Sequence, residues 1–274
     1  MKVYCILSDE RAPNLRSPSI FSTVMKSQGI RATYVPFTVR PGDLGRALDG
    51  MRVLNIAGAN VTVPYKEAVV PFMDCLSEGA NIIGSVNTIV RDGDRFKGYN
   101  TNAIGIMDAL GEAGFEVDGC SALVLGTGGV GRAVVFVLNW LRAARIFVAG
   151  RSRDKAAKLV TSFSGEPVAI DSLADRPWPV DIVVNATSVS SPDESPAMAA
   201  LARQLQLPEC RLVFDLNYGR RENFWQMLAA DRQIAFVDGL SALAFQARRT
   251  FALWTGLQVP PEEFLRALKN GMDG

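Results

Sequence analysis

The sequence predicts an α/β fold made of two α/β domains. Short apolar runs of strand length alternate with helix-sized segments along the chain, which is the pattern of repeated βα units. One such run leads into a glycine-rich turn at residues 126–131, and residues 101–114 have the apolar spacing of a connecting helix. The predicted domains are residues 1–101 plus 239–274, and residues 102–238.

The first domain is predicted from four β-like runs separated by segments of mixed polarity. The connecting helix is expected to begin at Thr101, because a threonine hydroxyl can cap a helix N-terminus. The four predicted strands lie at residues 3–7, 33–37, 53–56 and 86–90.

The second domain is predicted from continuous apolar runs, which are typical of strands covered on both faces of a doubly wound parallel sheet. Helical spacing returns at residues 240–255 and 262–268, and these segments are expected to fold back on the first domain. The predicted strands lie at residues 122–125, 146–149, 182–184 and 212–214.

Composition excludes several classes of protein. With 274 residues, 48% hydrophobic residues and a formal net charge of +1, the chain can bury a core but has no overall charge to attract nucleic acid or an anionic membrane. Its four cysteines are far apart and form no CxxC pair, so reduced thiols are expected. The first apolar run is too short for a signal peptide or a membrane span. We therefore expect a cytoplasmic protein without nucleic-acid or membrane partners.

Histidine is absent from the sequence. This removes the commonest general base, the Ser-His and Cys-His nucleophile systems, and the commonest metal ligand. Because the acidic residues are scattered as well, no metal site is expected. Proton transfer would have to depend on Lys, Asp, Glu, Tyr or Cys.

Residues 122–133 read as a strand, a glycine turn and the start of a helix, inside a βαβ unit that ends at residues 146–149. Glycines permit a tight turn and close approach of the backbone, here by Gly126 and Gly128, and the helix N-terminus favours a pyrophosphate. The alternative is a purely structural glycine turn. The predicted dinucleotide-binding residues are Gly126, Thr127, Gly128, Gly129, Val130 and Gly131.

The residues after the second strand of this unit distinguish the two nicotinamide cofactors. An NAD enzyme would place Asp or Glu here to bind the ribose 2′-hydroxyl, whereas this chain has Gly150 followed by Arg151, Ser152 and Arg153. Two guanidinium groups favour a 2′-phosphate and therefore NADP. A solvated helix N-terminus is the alternative, although cations are mildly unfavourable there.

Several motifs follow one another in the order found in a known family. The segment Asn-Val-Thr-Val-Pro-Tyr-Lys at residues 60–66, in which Pro64 is expected to begin a helix, and the segment Gly-Ser-Val-Asn-Thr at residues 84–88 are the most specific. On these residues the chain resembles shikimate dehydrogenases over essentially its whole length. The other matching elements are Ser17-Pro18, residues 98–101, the glycine turn, residues 185–188, residues 215–218, and residues 238–240 followed by Gln246.

This resemblance implies an N-terminal substrate domain and a Rossmann-type NADP domain. It implies reversible hydride transfer between NADP(H) and shikimate/3-dehydroshikimate, quinate or a related cyclic hydroxy acid, in aromatic amino acid biosynthesis through the chorismate pathway, by a monomer or homodimer. Lys66 would donate or accept the proton, since a partly desolvated amine can do both near neutral pH; a surface lysine is the alternative. The implied substrate-binding residues are Ser17, Asn60, Thr62, Asn87, Gln246 and Tyr218, and the further cofactor-binding residues are Ala186, Thr187, Ser188 and Gly239.

The chain departs from the family pattern at three places. Asn102 stands where the family has the aspartate that pairs with the lysine, and an amide cannot accept a proton. Losing such a partner typically costs about 10²- to 10⁴-fold in rate. Leu15 replaces a serine of the Ser-x-Ser-Pro element, and Ser241-Ala242 replaces a Gly-Met pair. These changes favour a natural paralogue with a different or poorer substrate, and an NADP-binding protein with little catalysis is the alternative.

Any single Asn or Gln of the predicted site could instead be a buried amide that satisfies loop backbone. Arg16 beside Leu15 could contact the substrate, although an exposed arginine is the expectation. An unrelated methyltransferase or hydratase with a Rossmann domain would leave the motifs at residues 60–66 and 84–88 without explanation.

Overall fold

The computed structural model describes residues 1–270, which divide into two compact units. One unit consists of Met1–Gly105 together with the C-terminal segment that begins at Leu243, and the other consists of Ile106–Ala242. No helix of the described chain is long and apolar enough to cross a lipid bilayer.

The first unit is built on a six-stranded mixed sheet with the strand order β2-β1-β3-β5-β6-β4. β1 pairs in parallel with β2 and β3, whereas β5 is antiparallel to both of its neighbours. The strands are β1 (Lys2–Ser8), β2 (Ala32–Thr38), β3 (Gly58–Val61), β4 (Cys75–Leu76), β5 (Thr88–Asp92) and β6 (Arg95–Tyr99). The helices are α1 (Ser17–Ser27), α2 (Leu44–Val53), α3 (Glu78–Ile83) and the start of α4 (Thr101–Glu112).

The second unit is a six-stranded sheet in which all pairs of neighbouring strands are parallel, with the order β12-β11-β10-β7-β8-β9. Its strands are β7 (Ser121–Leu125), β8 (Arg145–Gly150), β9 (Glu166–Ala169), β10 (Ile182–Asn185), β11 (Leu212–Asp215) and β12 (Ala235–Val237). Its helices are α5 (Gly129–Trp140), α6 (Arg153–Phe163), α7 (Pro196–Gln204) and α8 (Phe224–Asp231). The strand order reverses between β7 and β10, and in such sheets ligands bind where the carboxyl ends of these two strands meet. The predicted fold class is confirmed.

Two further helices complete the chain, α9 (Gly239–Thr255) and α10 (Pro261–Asn270). In the first unit, Trp254 of α9 stacks on Tyr4 with ring centroids 4.6 Å apart, and Phe21 of α1 stacks on Tyr34 at 5.0 Å. Phe264 of α10 meets Phe21 edge-on. This buried aromatic cluster fixes α9 and α10 against the first sheet, as the sequence predicts.

The predictions at the end of α2 and at the start of α4 are wrong. The segment at 53–56 is not a strand, because Val53 ends α2 and Asn55 takes a positive φ of 56° that closes the helix; the strand β3 begins only at Gly58. Thr101 is not the cap of α4. Asn100 has that role, since its Oδ1 accepts a hydrogen bond from the Ala103 amide at 3.2 Å. Four strands were not predicted because they are short or of mixed polarity, so their apolar pattern is weak. They are β4, β6, β9 and β12.

The glycine turn brings β7, β10 and α5 into close contact. Gly126 has a φ of 116°, and a side chain there would lie 2.7 Å from the carbonyl group of Ala186. A side chain at Gly131 would collide with the carbonyl oxygen of Gly126. Only hydrogen atoms fit at these two positions, so the turn fixes how the helix leaves the sheet.

Replacing Gly131 by Ala should therefore destabilise the second unit. We expect a loss of about 1–3 kcal/mol in the free energy of unfolding, the usual cost of overpacking, measured by urea denaturation. Gly111→Ala is the matched control, because Gly111 is also helical and a Cβ there meets no atom within 4 Å. A loss of the same size in both variants would show that the collision at Gly131 is not the cause.

Candidate active site

Lys66 lies in a segment of turns that follows β3. The hydroxyl of its neighbour Tyr65 is buried and donates to the backbone oxygen of Val39 at 2.6 Å. The backbone oxygen of Lys66 accepts from the Val86 amide at 2.8 Å. These two contacts hold Lys66 beside the residues that lead into β5. The helix expected from Pro64 is absent, because residues 62–69 form turns and helical geometry begins only at Val70, as a short 3-10 turn.

The amine of Lys66 is in a desolvated environment. Its side chain is half-buried, and burial lowers the pKa of the amine to about 8. No charged group contributes to this shift, and no residue within 1–270 pairs with the amine through a hydrogen bond or salt bridge. An amine with such a pKa populates both protonation states near neutral pH and can therefore donate or accept a proton.

Asn87, which precedes β5, is the centre of a buried polar network. Its Oδ1 accepts from the backbone amide of Thr101 at 2.7 Å. Its Nδ2 carries two hydrogens and lies within hydrogen-bonding distance of three acceptors, which are Thr101 Oγ1 at 2.9 Å, Asn102 Oδ1 at 3.0 Å and Gln246 Oε1 at 2.7 Å. One side chain thus joins β5, the start of α4 and the middle of α9. We call the connected set the Asn87 network; it consists of Asn60, Asn87, Thr88, Thr101, Asn102, Gln246 and Thr250.

Three buried threonine hydroxyls lie beneath Asn87. Thr88 and Thr250 are 2.9 Å apart, Thr101 and Thr250 are 3.1 Å apart, and Thr88 and Thr101 are 3.3 Å apart. Thr88 and Thr250 were not predicted as site residues. Each had a signal in the sequence, because Thr88 ends the motif at residues 84–88 and Thr250 lies four residues after Gln246, on the same face of α9.

Both polar atoms of the Asn60 side chain are hydrogen-bonded within the protein. Its Oδ1 accepts from the Tyr34 hydroxyl at 2.8 Å. Its Nδ2 donates to the backbone oxygen of Asn87 at 3.1 Å and to Thr88 Oγ1 at 3.2 Å. Both amide hydrogens are therefore used, which is the arrangement expected of a buried amide that positions its neighbours. Tyr34 was not singled out from the sequence, because its partner lies on another strand.

Asn102 has one satisfied atom and one unsatisfied atom. Its Oδ1 accepts from Asn87, whereas its Nδ2 is buried and has no hydrogen-bond partner in the described chain. A buried donor without a partner costs about 1–3 kcal/mol. The Nε2 of Gln246 likewise has no protein partner among residues 1–270. Two amide NH₂ groups of the network thus have no partner among the described residues.

The other predicted substrate-binding residues are less tightly connected. Ser17 is the first residue of α1, is half-buried, and interacts with the Tyr34 hydroxyl. Thr62 is half-buried, and its side chain has no hydrogen bond to the described residues. Arg16 is exposed, as expected. Tyr218 belongs to the second unit, where it follows β11.

The second unit provides a cradle that fits a dinucleotide. The glycine turn leads into α5, whose first amides have no helical partner, and a Cβ at Gly128 would meet open space. The side chain of Thr127 packs against Gly150 at the end of β8. Ser152 caps α6 through its hydroxyl, which accepts from the Lys155 amide at 3.3 Å, and the flanking Arg151 and Arg153 are exposed.

The loop after β10, which contains Ala186, Thr187 and Ser188, is fixed beside this cradle. The Ala186 amide donates to the Leu125 oxygen at 2.7 Å, and Thr187 Oγ1 donates to Asn185 Oδ1 at 2.6 Å. Asn185 Nδ2 in turn donates to the buried carboxylate of Asp215 at 2.8 Å. Gly239 lies against the backbone of Leu216, where a Cβ would collide with the Leu216 oxygen. The structure thus holds the predicted cofactor-binding loops at the carboxyl edge of the parallel sheet.

Across residues 1–270, no cluster of three or more Cys, Asp or Glu side chains has an arrangement that could hold a metal ion.

Comparison with known families gives two matches along the chain. Residues 12–89 match the shikimate dehydrogenase substrate binding domain, and residues 109–221 match shikimate / quinate 5-dehydrogenase. The shikimate dehydrogenase (NADP(+)) of Halothermothrix orenii is 34% identical over 93% of this chain and 91% of its own length. That of Pyrococcus furiosus is 38% identical over 93% of this chain and 90% of its own length.

Solved structures agree with these matches. The shikimate dehydrogenase of Aquifex aeolicus superposes with a TM-score of 0.88 at 31% identity, covering 98% of each chain. The Thermus thermophilus shikimate 5-dehydrogenase in complex with NADP(H) and shikimate superposes with a TM-score of 0.85 at 30% identity, covering 98% of this chain and 99% of that one.

The pKa of Lys66 can be measured directly. After reductive methylation of the amines with ¹³C-formaldehyde, one lysine resonance in an NMR titration should have a midpoint near pH 8, beside the resonance of the N-terminal amine, which is methylated as well. That lysine resonance should be absent from Lys66→Met. The direction follows from burial, which disfavours the charged amine, so the amine loses its proton at a lower pH than it would in water. If the resonance lost in Lys66→Met instead titrates above pH 10, Lys66 is not desolvated.

Proposed function

Because the chain belongs to the shikimate dehydrogenase family, we propose that it transfers hydride reversibly between NADP(H) and a cyclic hydroxy acid of the shikimate or quinate type, with Lys66 exchanging the proton. The observation that carries the proposal is the half-buried amine of Lys66, with a pKa of about 8, beside the strand start that holds Asn87. The relatives named above carry the same NADP-dependent activity in their names.

Lys66 has one task in each direction of the reaction. In the reduction of a ketone, its ammonium form donates a proton to the carbonyl oxygen as the bond from carbon to hydride forms. In the oxidation of an alcohol, its neutral amine accepts the hydroxyl proton as the hydride leaves the carbon. NADP, when bound, supplies or accepts the hydride. A pKa near 8 lets one residue serve both directions.

The second unit binds NADP in this proposal. The amides at the start of α5 hold the pyrophosphate, and the absence of side chains at Gly126 and Gly128 lets the backbone approach it. The guanidinium groups of Arg151 and Arg153 hold the 2′-phosphate, which explains why two exposed cations flank the start of α6. Ser152 supports them by capping that helix.

The first unit binds the ring acid. Gln246 offers its amide Nε2 as a donor, and the half-buried hydroxyls of Ser17 and Thr62 add further contacts. Leu15 removes one hydroxyl from the family's carboxylate-binding element. We therefore expect weaker binding of shikimate than in relatives with both serines.

A second candidate is a paralogue that binds NADP and a ring acid but turns over slowly. The observation that favours it is Asn102, which supplies an amide where the family pattern has a carboxylate. The shikimate reaction would then lack the charge that stabilises the ammonium of Lys66.

Turnover separates these two candidates. Purified protein is mixed with NADP and shikimate or quinate, and the absorbance of reduced nicotinamide is followed. We expect turnover that Lys66→Met lowers by about 10²- to 10⁴-fold, the usual contribution of a general acid-base group. Lys26→Met is the control, because Lys26 is exposed on α1.

Affinity for NADP, measured by calorimetry, should be the same in Lys66→Met as in the wild-type protein. Equal losses of turnover and NADP affinity would contradict the role of Lys66. No turnover with either acid, with NADP binding intact, would favour the second candidate.

The double variant Arg151→Ala, Arg153→Ala tests the choice of cofactor. We expect its affinity for NADP to fall about 10-fold or more, because charge-assisted hydrogen bonds to the phosphate are lost. Its affinity for NAD should change little. Arg176→Ala, at an exposed arginine of the same unit, is the control. Equal losses of affinity for NADP and NAD would show that these arginines do not bind the 2′-phosphate.

A further inference from the structure

Asp215, the last residue of β11, is an acidic side chain in the interior of the second unit. It is fully buried and forms no salt bridge with any residue of the described chain. Burying a carboxylate is costly unless its oxygens accept hydrogen bonds, so the groups that donate to it indicate its role. The donors are the side chains of Asn185, Asn217 and Asn223, together with one backbone amide.

The two oxygens of Asp215 have different partners. Oδ1 lies 2.8 Å from Asn185 Nδ2 and 3.1 Å from both the backbone amide and the Nδ2 of Asn217. Oδ2 accepts from Asn223 Nδ2 at 2.6 Å. Asn223 is the cap of α8, because its own Oδ1 accepts from two backbone amides in the first turn of that helix. Oδ1 thus anchors the loops after β10 and β11, whereas Oδ2 anchors a helix cap.

The two amides at Oδ1 determine the path of the loop after β10. Asn185 Oδ1 accepts from the backbone amide of Thr187 at 3.1 Å and from its hydroxyl at 2.6 Å. Asn217 Nδ2 lies 2.9 Å from the backbone oxygen of Thr187 and 2.9 Å from the hydroxyl oxygen of Ser190, a buried residue. Each polar atom of Thr187 therefore contacts one of these two amides. The shape of the loop depends on two side chains that Asp215 holds.

A carboxylate suits position 215 because every group that it meets is a donor. The backbone amide of Asn217 can only donate, so it requires an acceptor at Oδ1. Asn223 presents its Nδ2 to the other oxygen, because its own oxygen is held by α8. An asparagine at 215 would have one acceptor oxygen only, and its NH₂ group would meet a donor on one side or the other.

We propose that Asp215 and Asn217 are positioning residues for the cofactor, which together hold residues 186–190 in the conformation that binds NADP. This inference rests on the proposed function and on the assignment of Ala186, Thr187 and Ser188 to the cofactor. Asp215 is fully buried and acts through Asn217. Asn217 is the link between the two loops, since its Nδ2 lies within hydrogen-bonding distance of both Asp215 and Thr187.

The test is equilibrium binding of NADP, measured by calorimetry at a temperature well below the unfolding midpoint of every variant. Asn217→Ala removes the side-chain link and should weaken NADP binding by about 10-fold, because the loop must then be ordered at each binding event. Asp215→Ala should weaken it at least as much. Since the two residues act through each other, the double variant should bind NADP no more weakly than Asp215→Ala alone.

Asn223→Ala is the matched control, because it removes an amide from the same carboxylate on the side of the helix cap. It should lower the thermal unfolding midpoint, as the loss of a cap does, and leave NADP affinity unchanged. In steady-state assays Asn217→Ala should raise the KM for NADP and leave kcat at saturating NADP unchanged, because Lys66 belongs to the other unit.

If Asp215→Ala does not fold, the comparison of Asn217→Ala with Asn223→Ala decides the question. Unchanged NADP affinity in Asn217→Ala would overturn the inference, and so would losses that simply add in the double variant. Equal losses of NADP affinity in Asn217→Ala and Asn223→Ala would overturn it as well, since the effect would then be a general loosening of the unit. If the wild-type protein does not bind NADP, the proposed function fails first, so the two failures are distinguishable.

Discussion

The hydrogen bond from the Thr101 amide to Asn87 Oδ1 is the interaction on which the arrangement of the Asn87 network depends. A backbone N–H cannot reverse its polarity, so it fixes the Asn87 side chain, which then orients Asn102 and Gln246. Asn87 contacts three elements that are distant in the sequence. Its loss would leave several buried polar atoms without partners, and such networks are costly when only partly satisfied.

Two polar groups of the first unit have no protein partner among the described residues. Burial lowers the pKa of the Lys66 amine to about 8, and no charged group opposes this shift. The Nδ2 of Asn102 is buried and has no hydrogen-bond partner in the described chain. In the function proposed above, Asn102 offers the Lys66 ammonium no negative charge, so the amine loses its proton more easily than it would beside a carboxylate.

Much of this could be predicted from the sequence, because short motifs report local geometry. Residue patterns predicted the parallel sheet and its glycine turn. They also singled out Lys66 and Asn102 as candidate site residues. The contact between Thr88 and Thr250 was not predicted, since these residues are 162 positions apart and meet only after folding. Threonine is a common helix cap, but the hydroxyl of Thr101 contacts Thr250 within the network. The cap of α4 is therefore Asn100.

Gln246 and Thr250 lie one helical turn apart on α9, and one contacts Asn87 while the other contacts Thr88 and Thr101. A helix advances about 100° per residue, so inserting or deleting a single residue between them would direct one of the two side chains away from the network. This stretch can therefore diverge in evolution by substitution but not by a change of length. Ligand preference in such a protein would be altered residue by residue, at fixed spacing.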